Sequence, residues 1–438
     1  RNFREVVYAR SKKELSTNPF GTQRDTSKEG YEWMSHSLDT GDHRDCQECF
    51  DVNIGTDQCD QPYSASIFNI SAMSYGSLSS RAVEALNIGA RKGDFYHNTG
   101  EGGIAPYHRN GGDLVWQIGT AYFGCRTKDG EFCPDTFQQA ATDDAVKMIE
   151  IKLSQGAKPG HGGVLPACKN DEEIAEIRHV EPYTDVISPP SHEEFDTPVG
   201  LLEFVQRLRE LSGGKPVGFK LCIGHASEFI SIARAIKETG IKPDFITVDG
   251  GEGGTGAAPL EYSNSVGMPF KDGLALASDV LEGFDLHDEI KIITSGKILT
   301  GFHIIRAFAL GADLTNSARG MMLALGCIQA LECNENTCPT GITTQDPELM
   351  EGLVVEEKAP RVQNYHDETV KAAGELLTAA GLEHPSEVQR RHINRRVSPD
   401  KIERFDQIYP PVETGCLLEG NPPEQLEEPF ERASSKSF

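Results

Sequence analysis

The chain has 438 residues, 38% of them hydrophobic, with 44 glycines, 11 cysteines and a formal net charge of −25 at pH 7. That length suits one α/β barrel with insertions, whereas the acidic balance excludes nucleic-acid binding, which needs clustered Lys and Arg on phosphates. No apolar stretch reaches the roughly 18 residues of a membrane span, no secretory signal is visible, and unpaired cysteine spacing points to metal or flavin chemistry in a reducing compartment.

Residues 1 to about 60 read as an irregular polar lead-in with one short helix near 3–15. Cys46-Gln47-Glu48-Cys49, followed by Cys59, suits zinc or a redox pair, but no fourth ligand stands at a suitable spacing. An arginine at position 1 carries the expectation that the sequence begins inside a longer or processed chain.

From Ser66 the pattern changes. Apolar segments at 66–74, 94–98, 114–124, 146–154, 217–223, 244–249, 291–295 and 312–316 read as strands. Amphipathic stretches at 80–92, 200–212, 226–240 and 301–311 separate most of them. The alternation predicts an α/β fold, a (β/α)8 TIM barrel, with a large βα insertion over 153–216. Residues 61–385 form the expected barrel unit, preceded by the 1–60 extension and followed by a 386–438 tail. After residue 346, helices are expected around 362–381, then a basic patch at 390–396 and a Pro- and Glu-rich extended arm at 410–431 without catalytic role.

Such barrels place their chemistry on the loops after the strands. Here those loops carry Ala72-Met73-Ser74, Asn98-Thr99-Gly100-Glu101, and Lys152-Leu153-Ser154-Gln155-Gly156-Ala157-Lys158. Lys220 ends the fifth segment, and Asp249 opens the run that reaches Gly254 and Thr255. Ser295-Gly296-Lys297 and Arg319-Gly320 close the seventh and eighth. One glycine-rich loop is an ordinary turn, but seven strand ends with Gly, Lys, Ser or Glu clusters are not explained as turns. Gly251 to Gly256 matches GxGxxG in form. Pro259 follows too soon for a good helix, and no βαβ unit with a later acidic residue accompanies it, so dinucleotide binding is rejected.

Ser295, Gly296, Arg319 and Gly320 suit the phosphate site that barrels build after strands seven and eight. Lys220 reads either as a positive charge beside an electron-rich ring or as a rim salt bridge. Lys152 and Lys158 read as partners of a dicarboxylate or as solvated charges, and Glu101 suits an amine or imine. After the last strand stand Cys327, Cys333 and Cys338-Pro339, a Cys-x5-Cys-x4-Cys run. Thiolates hold iron–sulfur clusters, and proline follows the last cysteine of ferredoxin-type runs. No CxxC and no nearby histidine support zinc. The spacing alone fits packing cysteines equally well.

Five segments in this order, 70–77, 98–103, 150–160, 253–257 and 324–347, resemble the synthase domain of glutamate synthases over about residues 62–347. The likeness is greatest to short, stand-alone FMN-binding members of that family. It implies an FMN barrel with a 3Fe-4S cluster in segment 326–347. Electrons would pass from a donor through the cluster to FMN, which would reduce 2-iminoglutarate made from 2-oxoglutarate and ammonia. By position it places Ala72, Met73, Ser74, Lys220, Asp249, Gly254, Thr255, Ser295, Gly296, Arg319 and Gly320 around FMN. Glu101, Lys152, Gln155 and Lys158 would face the substrate, and Cys327, Cys333 and Cys338 would hold the cluster.

No glutaminase or nucleotide-binding reductase region is recognisable. The resemblance therefore implies a ferredoxin-like or other electron donor, ammonia from solution or from an ammonia-supplying subunit, and an oligomer or larger complex. The expected location is the cytoplasm or an organelle matrix or stroma, or a membrane reached through an N-terminal segment absent from this chain. His161 replaces the family's glutamate after Lys-Pro-Gly on the substrate side, Ser295-Gly296-Lys297 replaces Asp-Gly-Gly, and residues 316–320 differ from Phe-Gly-Thr-Ala. Two readings compete with the synthase: another FMN barrel, which would not use the cysteine run, and an electron-transfer or scaffold subunit that keeps the cofactors without turnover.

Overall fold

The computed structural model describes residues 2–14, 21–40, 50–255 and 258–438; Cys46, Cys49 and the 256–257 end of one family segment lie outside the described residues. Eight parallel strands close into a barrel. They are β1 (Phe68–Ile70), β2 (His97–Asn98), β3 (Leu114–Ile118), β4 (Val146–Lys152), β5 (Val217–Leu221), β6 (Phe245–Asp249), β7 (Lys291–Ser295) and β8 (Leu314–Ser317). Pairing of Ser317 with Ile70 completes the ring. All eight coincide with expected segments, but β1 and β3 end earlier than the apolar runs suggested, and β2 keeps only two residues.

Register decides what the top of the barrel presents. Lys152 lies beside Lys220, Asp249 beside Ser295, and Ser295 beside Asn316. Parallel strands in register bring these residues to one end, although up to 164 positions separate Lys152 from Asn316.

The barrel interior is layered. At the bottom Tyr96, Val115, Met148, Phe245, Ile293 and Leu314 pack with Ile54 and Ala65. Ile54 and Ala65 come from an antiparallel hairpin, Val52–Ile54 with Tyr63–Ala65, which plugs the lower mouth across the expected boundary at residue 60. Above lies a polar layer. The buried Glu150 carboxylate accepts from Asn98 Nδ2 at 2.8 Å, Gln117 Nε2 at 2.5 Å and Thr247 Oγ1 at 2.7 Å. Those donors satisfy a carboxylate that burial alone would penalise.

The outer layer holds α1 (Ser80–Gly93), α2 (Pro134–Ala141), α3 (Pro198–Leu211), α4 (Ala226–Thr239), α5 (Phe270–Gly283), α6 (Gly301–Ala309), α7 (Arg319–Leu325) and α8 (Val355–Ala379). Ser79 caps α1 by accepting from Ala82 N at 3.2 Å, and the inner face of α1 is mostly small and apolar. Helix α8 lies close against it: a Cβ on Gly89 would stand 2.7 Å from Val362. The N-terminal helix Asn2–Ser11 packs on α8, and Tyr8 Oη donates to the carbonyl of Cys327. Among the described residues no helix is long and apolar enough to cross a membrane.

The tail is more ordered than an extended arm. Ile393–Ser398 pairs with Glu32–Met34 on one side and Lys401–Arg404 on the other, in an antiparallel sheet. Arg390, expected in a basic surface patch, is buried and paired with Asp279 at 2.6 Å. Helix Glu427–Arg432 docks on α4, where Arg234 donates to the carbonyls of Phe430 and Ala433 and covers the Phe430 ring at 4.1 Å.

Candidate active site

Two adjoining cavities open at the C-terminal end of the barrel. The smaller, about 140 Å³, is lined by Ser71 to Met73, Asp249, Ser295, Gly296, Asn316 and Arg319, among others. The larger, about 750 Å³, holds Ser74, Glu101, Lys152, Lys158 and Thr255, and runs out to Cys327, Cys333 and Cys338. Ala72, Met73, Gln155, Lys220, Gly254 and Arg319 line both. Seventeen of the eighteen expected site residues are thus gathered on one continuous wall. The exception is Gly320, on which a Cβ would meet Tyr365 Oη at 2.3 Å and Ser317 Oγ at 2.5 Å. Its backbone packs against Tyr365 of α8.

Asp249 ties the smaller cavity together. Its Oδ2 accepts from Gly156 N at 2.8 Å, and its Oδ1 accepts from Ser295 Oγ at 2.6 Å. One carboxylate at the end of β6 therefore fixes the loops after β4 and β7. Gly156 must be glycine, because a Cβ would stand 1.8 Å from the Gly250 carbonyl oxygen. Gly254 is the opposite case: a Cβ there meets nothing within 4 Å, so its backbone faces open space. Arg319 reaches across from α7 to donate to the Glu252 carbonyl.

The larger cavity is built around a cluster of buried charges. Lys152 Nζ donates to Glu101 Oε1 at 2.7 Å. Gly119 and Gly163 leave room for that carboxylate, since a Cβ on either would come within 2.5 Å of its oxygens. Burial pushes the Glu101 carboxyl up, but Lys152, then Arg178 and Lys220, hold it below its usual range. Burial lowers Lys152; Glu101 opposes the shift and Lys220 adds to it. Lys158 is 1% exposed, and its Nζ has no hydrogen-bond partner among the described residues. Burial, then the neighbouring Lys152, lowers its pKa. Lys220 is 6% exposed and lies in register beside Lys152. A buried ammonium without a partner is costly, so this wall is shaped for an anion.

Three contributors were not anticipated from sequence. Arg178, from the insertion helix Glu172–Arg178, donates to the Tyr75 carbonyl at 2.8 Å, leaves its Nε unpartnered, and covers Phe123 at 5.1 Å. Burial lowers its pKa to about 10, with Glu101 resisting. Lys169 donates to the carbonyls of Ser77 and Cys333, joining the β1 loop to the cysteine run. His192 places Nε2 on the Lys152 carbonyl at 2.9 Å and Nδ1 on Tyr122 Oη at 3.1 Å. A carbonyl only accepts, so the proton sits on Nε2 and the Tyr122 hydroxyl donates to Nδ1. All three residues come from the 153–216 insertion, where no strand end or motif marked them.

His161, expected on the substrate side, is exposed and packs edge-on to Tyr262 at 5.6 Å, away from both cavity walls. The three run cysteines share the cavity wall. Burial raises the Cys338 thiol, but hydrogen bonds from Thr340 and Thr343 outweigh it and bring the pKa to about 7, which favours the ligating thiolate. Even so, no group of three or more His, Cys, Asp or Glu among the described residues is arranged to hold a metal ion. The thiols fit an iron–sulfur cluster in type, and Cys333 and Cys338 lie close enough to Cys327 to act on its charge. Cys59 faces the Gly214 carbonyl, and burial raises its thiol to about 11.

The family model described as the conserved region in glutamate synthase matches residues 23–383. A glutamate synthase large subunit-like protein, YerD of Bacillus subtilis, is 43% identical over 358 residues, covering 81% of this chain and 68% of that protein. An archaeal glutamate synthase (NADPH) of Methanocaldococcus jannaschii is 34% identical over 318 residues, covering 72% of this chain and 58% of its own length. Among solved structures, a flavocytochrome b2 variant with sulfite bound aligns over 96% of this chain and 84% of its own, at 12% identity and a TM-score of 0.50. That last likeness concerns the barrel fold alone.

Proposed function

This chain belongs to the glutamate synthase family, and from that premise we propose that it reduces the imine of 2-oxoglutarate and ammonia to glutamate. FMN, the family's flavin, would supply the two-electron reduction at this barrel face. The wall accommodates it: Ser295, Gly296 and Arg319 suit its phosphate, and the open backbone at Gly254 and the Ala72-Met73-Ser74 loop suit the flat ring. Lys220, lining both cavities, brings positive charge to the ring edge. We assign a three-iron cluster to Cys327, Cys333 and Cys338, which share one cavity wall within reach of one another's charge. Three irons per chain, lost in Cys333→Ser, are expected from iron and acid-labile sulfide analysis.

The substrate is a dicarboxylate. Lys158 and Lys152 meet its carboxylates, Arg178 adds field from behind, and the Glu101 carboxylate accepts from the imine N–H and steadies its positive charge. Carbonyl and ammonia condense with loss of water; two electrons and two protons, one of which makes the imine cationic, then give the amine. Ammonia and electrons come from partner proteins or solution.

The observation that carries this reading is the buried, unpartnered Lys158 Nζ in the cavity that holds the Glu101–Lys152 pair. Calorimetric titration of the flavin-loaded protein with 2-oxoglutarate tests it. Lys158→Ala is expected to weaken binding about 10- to 100-fold, the range of a lost hydrogen bond to a charged group. Equal affinity in the variant contradicts the assignment.

A further inference from the structure

Between β3 and α2 the chain forms a short hairpin that the proposed reaction does not use. Arg126 and Phe132 make an antiparallel bridge. Cys125 and Cys133, one residue further out on each side, therefore stand directly opposite each other, and Cys133 N–H donates to the Cys125 carbonyl at 2.9 Å. Cys125 N–H turns back to the Tyr122 carbonyl at 2.9 Å, so the pair exchanges one bond, and residues facing each other across an antiparallel pair stand about 4.5–5.5 Å apart with side chains on one face. Disulfides most often span Cα separations of about 5.5–6 Å. Both cysteines are free; Cys125 is buried and Cys133 is partly exposed.

Their environments differ in the way a reactive pair requires. Cys133 is the N-cap of α2, where the helix dipole favours negative charge. Thr136 Oγ1 donates to its Sγ at 3.2 Å. That hydrogen bond, with those from backbone N–H groups, holds the Cys133 thiol below its usual range. Burial pushes Cys125 up. A more acidic, partly exposed thiol stands opposite a buried, protected one.

We propose that Cys133 and Cys125 form a reversible dithiol–disulfide site for peroxide. The Cys133 thiolate attacks one peroxide oxygen; the O–O bond breaks, and the other oxygen leaves as water after taking a proton. Cys125 sulfur then displaces hydroxide from the resulting sulfenic acid, and its own proton leaves with that hydroxide as the second water. Two thiols lose two electrons, and peroxide gains them. A thiol reductant reverses the step by exchange. The bond would form one packing layer from the site. Phe132 packs on Tyr122 at 5.7 Å, Tyr122 bonds His192, and His192 bonds the Lys152 carbonyl.

Peptide mapping tests the site directly. Trypsin cuts after Arg126 and Lys128, so a bond would join peptide 110–126 to peptide 129–147. Purified holoprotein, reduced and then treated with hydrogen peroxide, is expected to yield that linked pair 2 Da below the sum of the two thiol peptides. Dithiothreitol should abolish it. Cys125→Ser should instead trap a dimedone-reactive sulfenic acid at Cys133. The proposal is overturned if both thiols stay alkylatable while other cysteines oxidise, or if wild-type Cys133 passes to sulfinic acid with Cys125 still free.

Discussion

Lys152 Nζ and Glu101 Oε1 meet at 2.7 Å across the barrel mouth, the lysine from the last residue of β4 and the glutamate from the loop after β2. The pair is almost closed off from water, and it stands among further cations: Lys158 close to Lys152, Lys220 beside it in register, and Arg178 behind Glu101. Glu101 is therefore the counter-charge for a group, not for one partner. Removing one member of a buried pair leaves the other uncompensated, at a cost of about 3–5 kcal/mol.

Glu101→Gln follows from that arrangement. The amide keeps the shape but not the charge. Turnover is expected to fall by about 100-fold or more, the scale of a lost group that stabilises transition-state charge. The urea midpoint should fall as well, while the far-ultraviolet circular dichroism stays native. Unchanged rate and midpoint together would remove Glu101 from the site.

Two glycines separate a fold requirement from a ligand requirement. A Cβ on Gly156 overlaps the Gly250 backbone oxygen, so Gly156→Ala should displace the loop that Asp249 holds and lower stability itself. A Cβ on Gly254 meets no protein atom. Gly254→Ala is expected to leave stability within about 0.5 kcal/mol, as open surface changes do. Flavin affinity should nevertheless fall at least tenfold, read by fluorescence titration of the flavin-free protein. Normal flavin binding in Gly254→Ala would move the ring elsewhere.

His192 gives the site a pH dependence. Burial, only partly opposed by the hydrogen bond to the Lys152 carbonyl, lowers its pKa from 6.5 to about 4. The unfolded chain then binds the extra proton between pH 6.5 and about 4 while the folded chain does not. Stability therefore rises with pH through this window, is complete above 6.5, and is lost as pH falls toward 4. The contribution is on the order of 3 kcal/mol. Urea midpoints from pH 4.5 to 7 should show a shallower slope in His192→Gln than in wild type; equal slopes would assign the acid sensitivity to other groups.

The barrel was legible because its strands are apolar runs bounded by loops rich in glycine, and because parallel register carries their ends to one face. Lys152, Lys220, Asp249 and Ser295 could be found that way. Arg178, Lys169 and His192 could not. They lie in the insertion between β4 and β5, and their partners, Tyr75, Ser77, Cys333 and Lys152, are 40 to 164 positions away. The tail misled for a related reason. Arg390 to Arg396 looks like a solvated charge run, yet Asp279 and the strand Glu32–Met34 absorb it only through tertiary contact. A two-residue strand such as β2 is likewise set by its neighbours' hydrogen bonds rather than by its own propensity.

Anaerobic stopped-flow absorbance tests the central claim most directly. The flavin-loaded protein is reduced chemically and mixed with 2-oxoglutarate and ammonium, and the flavin band and the glutamate formed are followed together. Rapid reoxidation with one glutamate per flavin, lost in Glu101→Gln and Lys158→Ala, is the expected result. A flavin that stays reduced in the presence of both substrates would contradict the account, and would leave the chain as an electron carrier or as a reductase for a different imine.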